Sequence, residues 1–257
     1  MSDAAGNGGA VLWEELSSKQ LAELLAGGMD MAILPIGSTE QHAAHLPVNV
    51  DMLCCYEVAK GVSRLTGVPV LPPLAYGNSM AHAGWPGTVA LRPDTFMKVL
   101  EELCGWVLRS GFRKIVILNG HLGNEQPMGL ASSTFRFEHP EVRIKAVSWW
   151  DITPEIKQAV VSDVKGWGFH ANDAETSMML HLRPDLVHME DARDETEASR
   201  DGFFRYFLRE KTRTGATGNP LIASREKGER LYRMAVEALA AQIKEAFNEE
   251  PPLGQGF

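Results

Sequence analysis

Glu40 and His42 stand two residues apart, just after the apolar run Met31–Ile36. In extended chain, residues i and i+2 face the same side. A carboxylate and an imidazole would therefore share one side of a strand end, which is half of a metal site. Asp51 follows nine residues after His42, where it can act as a helix N-cap, as a ligand, or as both. His121 arrives behind a second apolar run, in Asn119-Gly120-His121. The segment Gly168-Phe-His170-Ala-Asn-Asp-Ala-Glu175-Thr-Ser177 brings another histidine and glutamate ahead of Met178-Met-Leu180. Mixed histidine and carboxylate donors suit zinc, manganese or iron(II) and not a thiolate site. Glu40, His42, Asp51, His121 and Glu175 exceed what one tetrahedral ion uses. A bridging Asp51 would employ all five across two ions, and such a pair generates hydroxide at neutral pH and clamps a polarised oxygen. Each residue also has an ordinary reading: His121 in a loop, Asp51 as a cap, and Glu175 as a helix-start acid favoured by the dipole.

The elements that would position these groups follow from periodicity. Met31–Ile36, Val68–Leu71, Lys114–Leu118 and Val142–Trp149 read as strands, with Pro69 restricting the second to a strand start or edge. Trp13–Leu25, Asp51–Leu65, Pro93–Arg109 and about Ser224–Phe247 carry helical patterns, the third with Pro93 at its start and Gly111 past its end. Alternating strands and helices predict a mostly parallel sheet covered on both faces. Sites in such sheets lie beyond the carboxyl ends of the strands. Three of the four strands run directly into chemically capable residues there.

The chain has 257 residues, with 25 Lys and Arg against 33 Asp and Glu, a net charge of −8. An apolar share of 44% and a charged share of 23% are those of a globular protein. One domain over 1–257 is expected, with flexible ends at about 1–10 and 249–257. The acidic balance argues against a nucleic-acid groove. No apolar run reaches the ~20 residues of a membrane helix. The first residues lack a basic region and an apolar core, so no secretory signal is visible. Three cysteines, two of them adjacent, favour free thiols and a reducing cytoplasm. Gly-x-Ser-x-Gly and Gly-x-x-x-x-Gly-Lys are both missing from the sequence.

Five blocks in order resemble the creatininase (creatinine amidohydrolase) family. They are Leu34-Pro-Ile-Gly-Ser-Thr-Glu-Gln-His42 with His45-Leu-Pro47 and Asp51; Tyr76-Gly77 through Ser79, His82 and Pro86-Gly-Thr88; Asn119-Gly-His121 with Gly123-Asn124; His170-Ala to Glu175-Thr-Ser177; and Gly218-Asn-Pro220 with Ala223-Ser-Arg-Glu-Lys-Gly228. They span about residues 13 to 248. The resemblance implies a three-layer α/β/α fold with a mostly parallel central sheet, a centre of two divalent ions (zinc, manganese or iron) and a homohexamer. By match, Glu40, Asp51 and His121 hold one ion, and His42 with the bridging Asp51 holds the other. His170 is the acid/base, and Ser79, His82 and Trp167 are candidate substrate contacts.

Two positions depart from creatininase itself. The glutamate ligand two residues after the Asn-Gly-His histidine is here Gly123, which leaves Glu175, as ligand and catalytic carboxylate, to complete the second site. The tryptophan four residues before the fourth-block histidine is here Gly166, with Trp167 beside it. The expectation is therefore a metal-dependent hydrolase whose metal-bound hydroxide attacks the carbonyl of a small, cyclic substrate other than creatinine, at a C–N bond. Alternatives are a C–C hydrolase of a keto-cyclitol or keto-sugar, and a non-catalytic metal-bearing binding or assembly protein. Trp85, Trp149 and Trp150 read as packing. Asp201–Thr217, with aromatics beside basic residues, reads equally as a pocket wall for an anionic or polar substrate or a subunit contact.

Overall fold

The computed structural model describes residues 9–161, 168–198 and 202–253. The expected flexible ends fall largely outside these, as do Gly166 and Trp167. Three parallel strands form the sheet: β1 (Met31–Ile36), β2 (Lys114–Asn119) and β3 (Arg143–Ser148), in the order β1-β2-β3. Met31 pairs with Lys114, and Lys114 with Arg143, so the strands end level with one another. β1 is buried along its whole length, as strands covered on both faces are. Its side chains alternate between two cores. Ile33, Val116, Leu118 and Val147 face one; Ala32, Leu34, Ile36, Ile115 and Ile117 face the other.

Helices α2 (Val50–Thr66), α6 (Asp173–Leu182) and α8 (Arg225–Ala246) pack over the first core, with α5 (Pro154–Val161) beside them, and the four-residue α7 (Leu208–Lys211) precedes α8. Helices α3 (Pro93–Arg109) and α4 (Glu125–Glu138) cover the second. On α3, Phe96, Leu100, Cys104 and Val107 are buried at spacings of four, four and three, one face of an amphipathic helix. The result is the three-layer α/β/α arrangement that strand–helix alternation predicts.

Three expected elements change. Val68–Leu71 forms no strand; it runs parallel to β1 through isolated bridges, with Ile33 N–H donating to Pro69 O and Leu71 N–H to Ile33 O, both 2.9 Å. Pro69, Pro72 and Pro73 remove the donors that a continuous ladder needs. Trp13–Leu25 breaks into a 3₁₀ turn at Trp13–Glu15 and α1 (Ser18–Ala26), because Ser17 and Gln20 form a capping box that starts the helix afresh. Trp149 leaves the strand for the turn Trp149–Asp151. α4 and α5 are helices that periodicity did not mark.

Candidate metal centre

The polar residues that follow β1 and β2 meet the N-terminus of α2. Gly37 and Gly120 make this possible: a Cβ on Gly37 would lie 2.4 Å from Met52 Cα, and one on Gly120 would lie 2.0 Å from Asp51 O. With hydrogens there instead, the first turn of α2 presses onto both strand ends and delivers Asp51 between them. Asn49, not Asp51, is the N-cap, and it makes no side-chain cap bond. The cap reading of Asp51 is therefore set aside, and its buried carboxylate turns into the site.

Asp51 reaches two groups with two different oxygens. Oδ1 lies 3.1 Å from His42 Nε2, and Oδ2 lies 2.9 Å from His121 Nδ1 and accepts from Ser38 Oγ at 2.6 Å. Glu40 Oε2 is 3.2 Å from His121 Nδ1 and accepts no hydrogen bond, although it is buried. Glu40 Oε1 is 3.1 Å from His82 Nε2 and 3.5 Å from His170 Nδ1. Glu175 enters from the first turn of α6, where Asn172 is the N-cap; its Oε2 accepts from Ala171 N–H at 2.6 Å and lies 3.8 Å from His42 Nε2. Glu175 thus faces both the helix start and the cleft.

Donor atoms gather into three overlapping groups: Glu40 with Asp51 and His121; His42 with His170 and Glu175; and Glu40 with His82 and His170. The hydrogen bonds on the far sides of the rings fix which nitrogen is bare. His42 Nδ1 faces Glu40 O at 3.2 Å and His121 Nε2 faces Asn78 O at 3.1 Å. A carbonyl accepts only from N–H, so in the neutral rings that a cation requires it is His42 Nε2 and His121 Nδ1 that carry the lone pairs and face the carboxylates. This is the orientation that second-shell carbonyls give to ligating histidines. An orphaned buried carboxylate oxygen, two aimed lone pairs and a carboxylate shared between them fit divalent cations.

Electrostatics agree. Burial opposes charge on His42, but Asp51, helped by Glu175 and Glu40, outweighs it and lifts the pKa to about 10. His121 is raised well above the imidazole range against the same burial, through Glu40 and Asp51. Burial also works against the Asp51 carboxylate, yet His42 and His121 hold it well below the usual range. Burial lifts the Glu175 carboxyl, His42 pulls it partly back and Asp51 adds to the rise, which leaves it at about 8. His82 falls to about 4 and His170 well below the ordinary value, each chiefly by burial. Positive charge is thus favoured beside Asp51 and Glu40, at His42 and His121, and disfavoured at His82 and His170.

The cleft above these groups has a volume of about 190 Å³ and an apolar wall that includes Trp149, Trp150, Phe169 and Leu208. Trp149 and Trp150 are buried, as packing predicts, and stack edge to face at 5.7 Å; their edges still form part of the wall. Trp85 lies under the Arg209 guanidinium, 4.4 Å from the ring centre. Of the expected substrate contacts, His82 lines the cleft. Ser79 is fully buried with its hydroxyl 3.5 Å from His121 Nε2, so it touches a candidate ligand and not the open cleft. Trp167 lies outside the described residues. Phe203 and Phe204 are exposed at 95% and 66% and are not wall residues; Lys211, farther along that segment, is.

Periodicity gave no sign of Gln41, which sits between two site histidines, or of Thr217, which pairs with His170 across an isolated bridge and lines the cleft. Among the described residues, Ala43 (φ 57°) and Ala171 (φ 47°) are the non-glycine residues with positive φ, and each directly follows a site histidine. For L-residues this conformation costs about 1–2 kcal/mol, and here it turns His42 and His170 inward.

The sequence model of the creatininase family, described as creatinine amidohydrolase, matches residues 14–243. The chain belongs to the creatininase family. It is 32% identical over 250 residues to creatinine amidohydrolase of Pseudomonas putida, covering 91% of this chain and 96% of that protein. It is 30% identical over 242 residues to the mycofactocin precursor peptide peptidase of Mycolicibacterium smegmatis, covering 89% and 88%. It is 32% identical over 188 residues to the 3-dehydro-scyllo-inosose hydrolase of Thermotoga maritima, covering 72% and 60%. A crystal structure of creatinine amidohydrolase superposes with a TM-score of 0.82 at 30% identity, over 94% of this chain and 99% of that one. Related creatininase structures are described as manganese and Zn–Zn forms. These relatives support reading the family membership as hydrolase chemistry.

Proposed function

We propose that this protein is a metal-dependent hydrolase that opens a C–N amide bond in a small, cyclic substrate other than creatinine. The observation that carries this reading is Asp51, which offers one oxygen toward His42 and the other toward His121. Glu40, Asp51 and His121 would hold one divalent ion, and His42, Asp51 and Glu175 the second. Bound there, the ions supply an activated water and an electrostatic hold on a carbonyl oxygen. The zinc and manganese forms of related creatininases favour those metals, with iron(II) compatible with the same donors.

The chain's own groups do the rest. His170 presents Nδ1 toward the centre, 3.5 Å from Glu40 Oε1, where it can take a proton from the attacking water and pass it to a leaving nitrogen. Without metal the pKa of the Glu175 carboxyl sits at about 8; as a ligand it would be held ionised. Trp149, Trp150 and Phe169 exclude water and give the substrate an apolar seat. Among the described residues, Lys211 is the one lysine or arginine on the cleft wall, and it favours a substrate with a polar or anionic edge. His82, engaged by Glu40, contacts substrate only with the remaining face of its ring. The reading extends to a homohexamer in the cytoplasm; among the described residues no helix is long and apolar enough to cross a membrane.

The test is metal content together with hydrolysis of a panel of cyclic amides, ureides, short peptides and keto-sugars, with and without chelator. Chelator-sensitive turnover of a cyclic amide is the expected result. Turnover confined to keto-sugars moves the bond to C–C, as in the inosose hydrolase, and turnover confined to peptides moves it toward the peptidase. A protein that holds metal and turns over nothing is a binding protein.

A further inference from the structure

Gln41 lies between Glu40 and His42 and is buried. Its amide orientation is fixed from two sides. Ala43 N–H donates to Oε1 at 2.9 Å, and Nε2–H donates to Gly215 O at 3.0 Å. A flipped amide would set donor against donor and acceptor against acceptor. Gly215 contributes by shape as well, since with φ +94° a Cβ there would lie 2.1 Å from Gln41 Oε1. The Gln41 backbone N–H is held by Thr88 Oγ1 at 3.1 Å.

One amide hydrogen then remains on Nε2, and two ring nitrogens lie within its reach: His82 Nδ1 at 3.2 Å and His170 Nε2 at 2.9 Å. The choice is settled by a third contact. His170 Nε2 is 2.7 Å from Gln41 O, an acceptor that requires N–H on that nitrogen. A protonated nitrogen accepts nothing, so the spare amide hydrogen goes to His82 Nδ1. His82 Nδ1 is then bare, its proton sits on Nε2, and that proton meets Glu40 Oε1 at 3.1 Å. The opposite assignment sets the His170 Nε2 lone pair against Gln41 O and leaves His82 Nδ1 without the amide donor.

We propose that Gln41 is the positioning residue that sets the proton inventory of the centre: its side-chain amide fixes His82 as an Nε2–H donor that holds Glu40, and its backbone carbonyl fixes His170 as an Nε2–H ring with Nδ1 bare toward the reacting side. One residue thereby couples the acid/base histidine to the orientation of a candidate ligand. The inference uses the candidate-ligand reading of Glu40 but depends on no substrate.

Neutron diffraction from deuterium-exchanged crystals of the zinc-loaded protein tests it. Deuterons are expected on Nε2 of both His82 and His170, with His82 Nδ1 bare; a deuteron on His82 Nδ1, or a bare His170 Nε2, overturns the proposal. In Gln41→Glu the same shape presents an acceptor, so His82 Nδ1 should gain a deuteron, and a bare Nδ1 in that variant also overturns it. Zinc affinity, read by competition with a chromophoric chelator, should weaken about 10–100-fold in Gln41→Met, the range for outer-shell partners. Gly215→Ala should weaken it in the same direction by displacing the amide. Unchanged affinity in both variants overturns the role. These readouts follow proton positions and metal, so failure of the hydrolase reading leaves them intact, and the converse holds.

Discussion

The two halves of the centre are built differently. Glu40, Asp51 and His121 come from the exits of β1 and β2 and the first turn of α2, with relative exposures of 1%, 2% and 4%. Their donor atoms approach at 2.9–3.2 Å, and each side chain has its own restraint: His82 on Glu40, Ser38 on Asp51, Asn78 O on His121. His42, His170 and Glu175 come from loops and a helix start. Their backbone is turned by two residues at positive φ, the Glu175 side chain is 14% exposed, and its closest approach to His42 is 3.8 Å. α6 is anchored from behind, where buried Asp173 pairs with Lys227 of α8. The first half is pre-formed by regular structure, whereas the second half is assembled by loops and a helix start and is more loosely spaced.

The comparison breaks most completely at Asp51, which serves both halves. Asp51→Ala should lose both ions, and hydrolysis should fall by about 10²–10⁴, taking each ion to lose at least the 10–100-fold typical of an outer-shell deletion. Metal analysis that finds two ions retained would show the halves to be independent of it. His170→Ala should keep the metal and lower kcat about 10²–10⁴-fold, the usual range for a general acid or base; loss of metal instead would make His170 a ligand of the second half. Glu175→Gln should separate the halves. One ion is retained and the other binds about 10–100-fold more weakly, as read by titration calorimetry of the metal-depleted protein.

A pH experiment sharpens the contrast further. With metal removed, His42 (pKa about 10) and Glu175 (about 8) bind more protons folded than unfolded. Stability therefore falls as pH rises from about 7 to 10, because the unfolded chain binds fewer protons there. With metal bound the sign reverses, since ligands must shed protons to bind and affinity rises with pH. Melting curves of both forms across this range check the crossing. The smallest effect is expected at Ala171, where a β-branched side chain strains the positive φ. Ala171→Val should cost about 1–2 kcal/mol and weaken the second ion while sparing the first.

The same division governs what was legible in the sequence. Glu40, His42, Asp51 and His121 could be found because apolar runs announce strands, and strands announce where their exits point. The three-layer fold followed from the same runs. Val68–Leu71 misled because its apolar side chains suit a strand while its prolines prevent the ladder. Asn78 could not be found by residue type, since it acts through a backbone carbonyl. Gln41 was hidden by being flanked by two louder residues. Thr217 reaches His170 across 47 residues of chain, a separation that leaves no local pattern.

Gly123 sets a limit on how this centre can change. A Cβ there would stand 2.4 Å from His121 Nε2 and 2.5 Å from Asn78 O, so even alanine collides with a candidate ligand and with the carbonyl that orients it. A glutamate at this position, as in the creatininase pattern, cannot be tried on this backbone by a single replacement; the Asn78 strand-side loop has to move first. On this backbone a further carboxylate for the second half has to come from outside position 123, and Glu175, with its Oε2 3.8 Å from His42 Nε2, is the candidate that stands there.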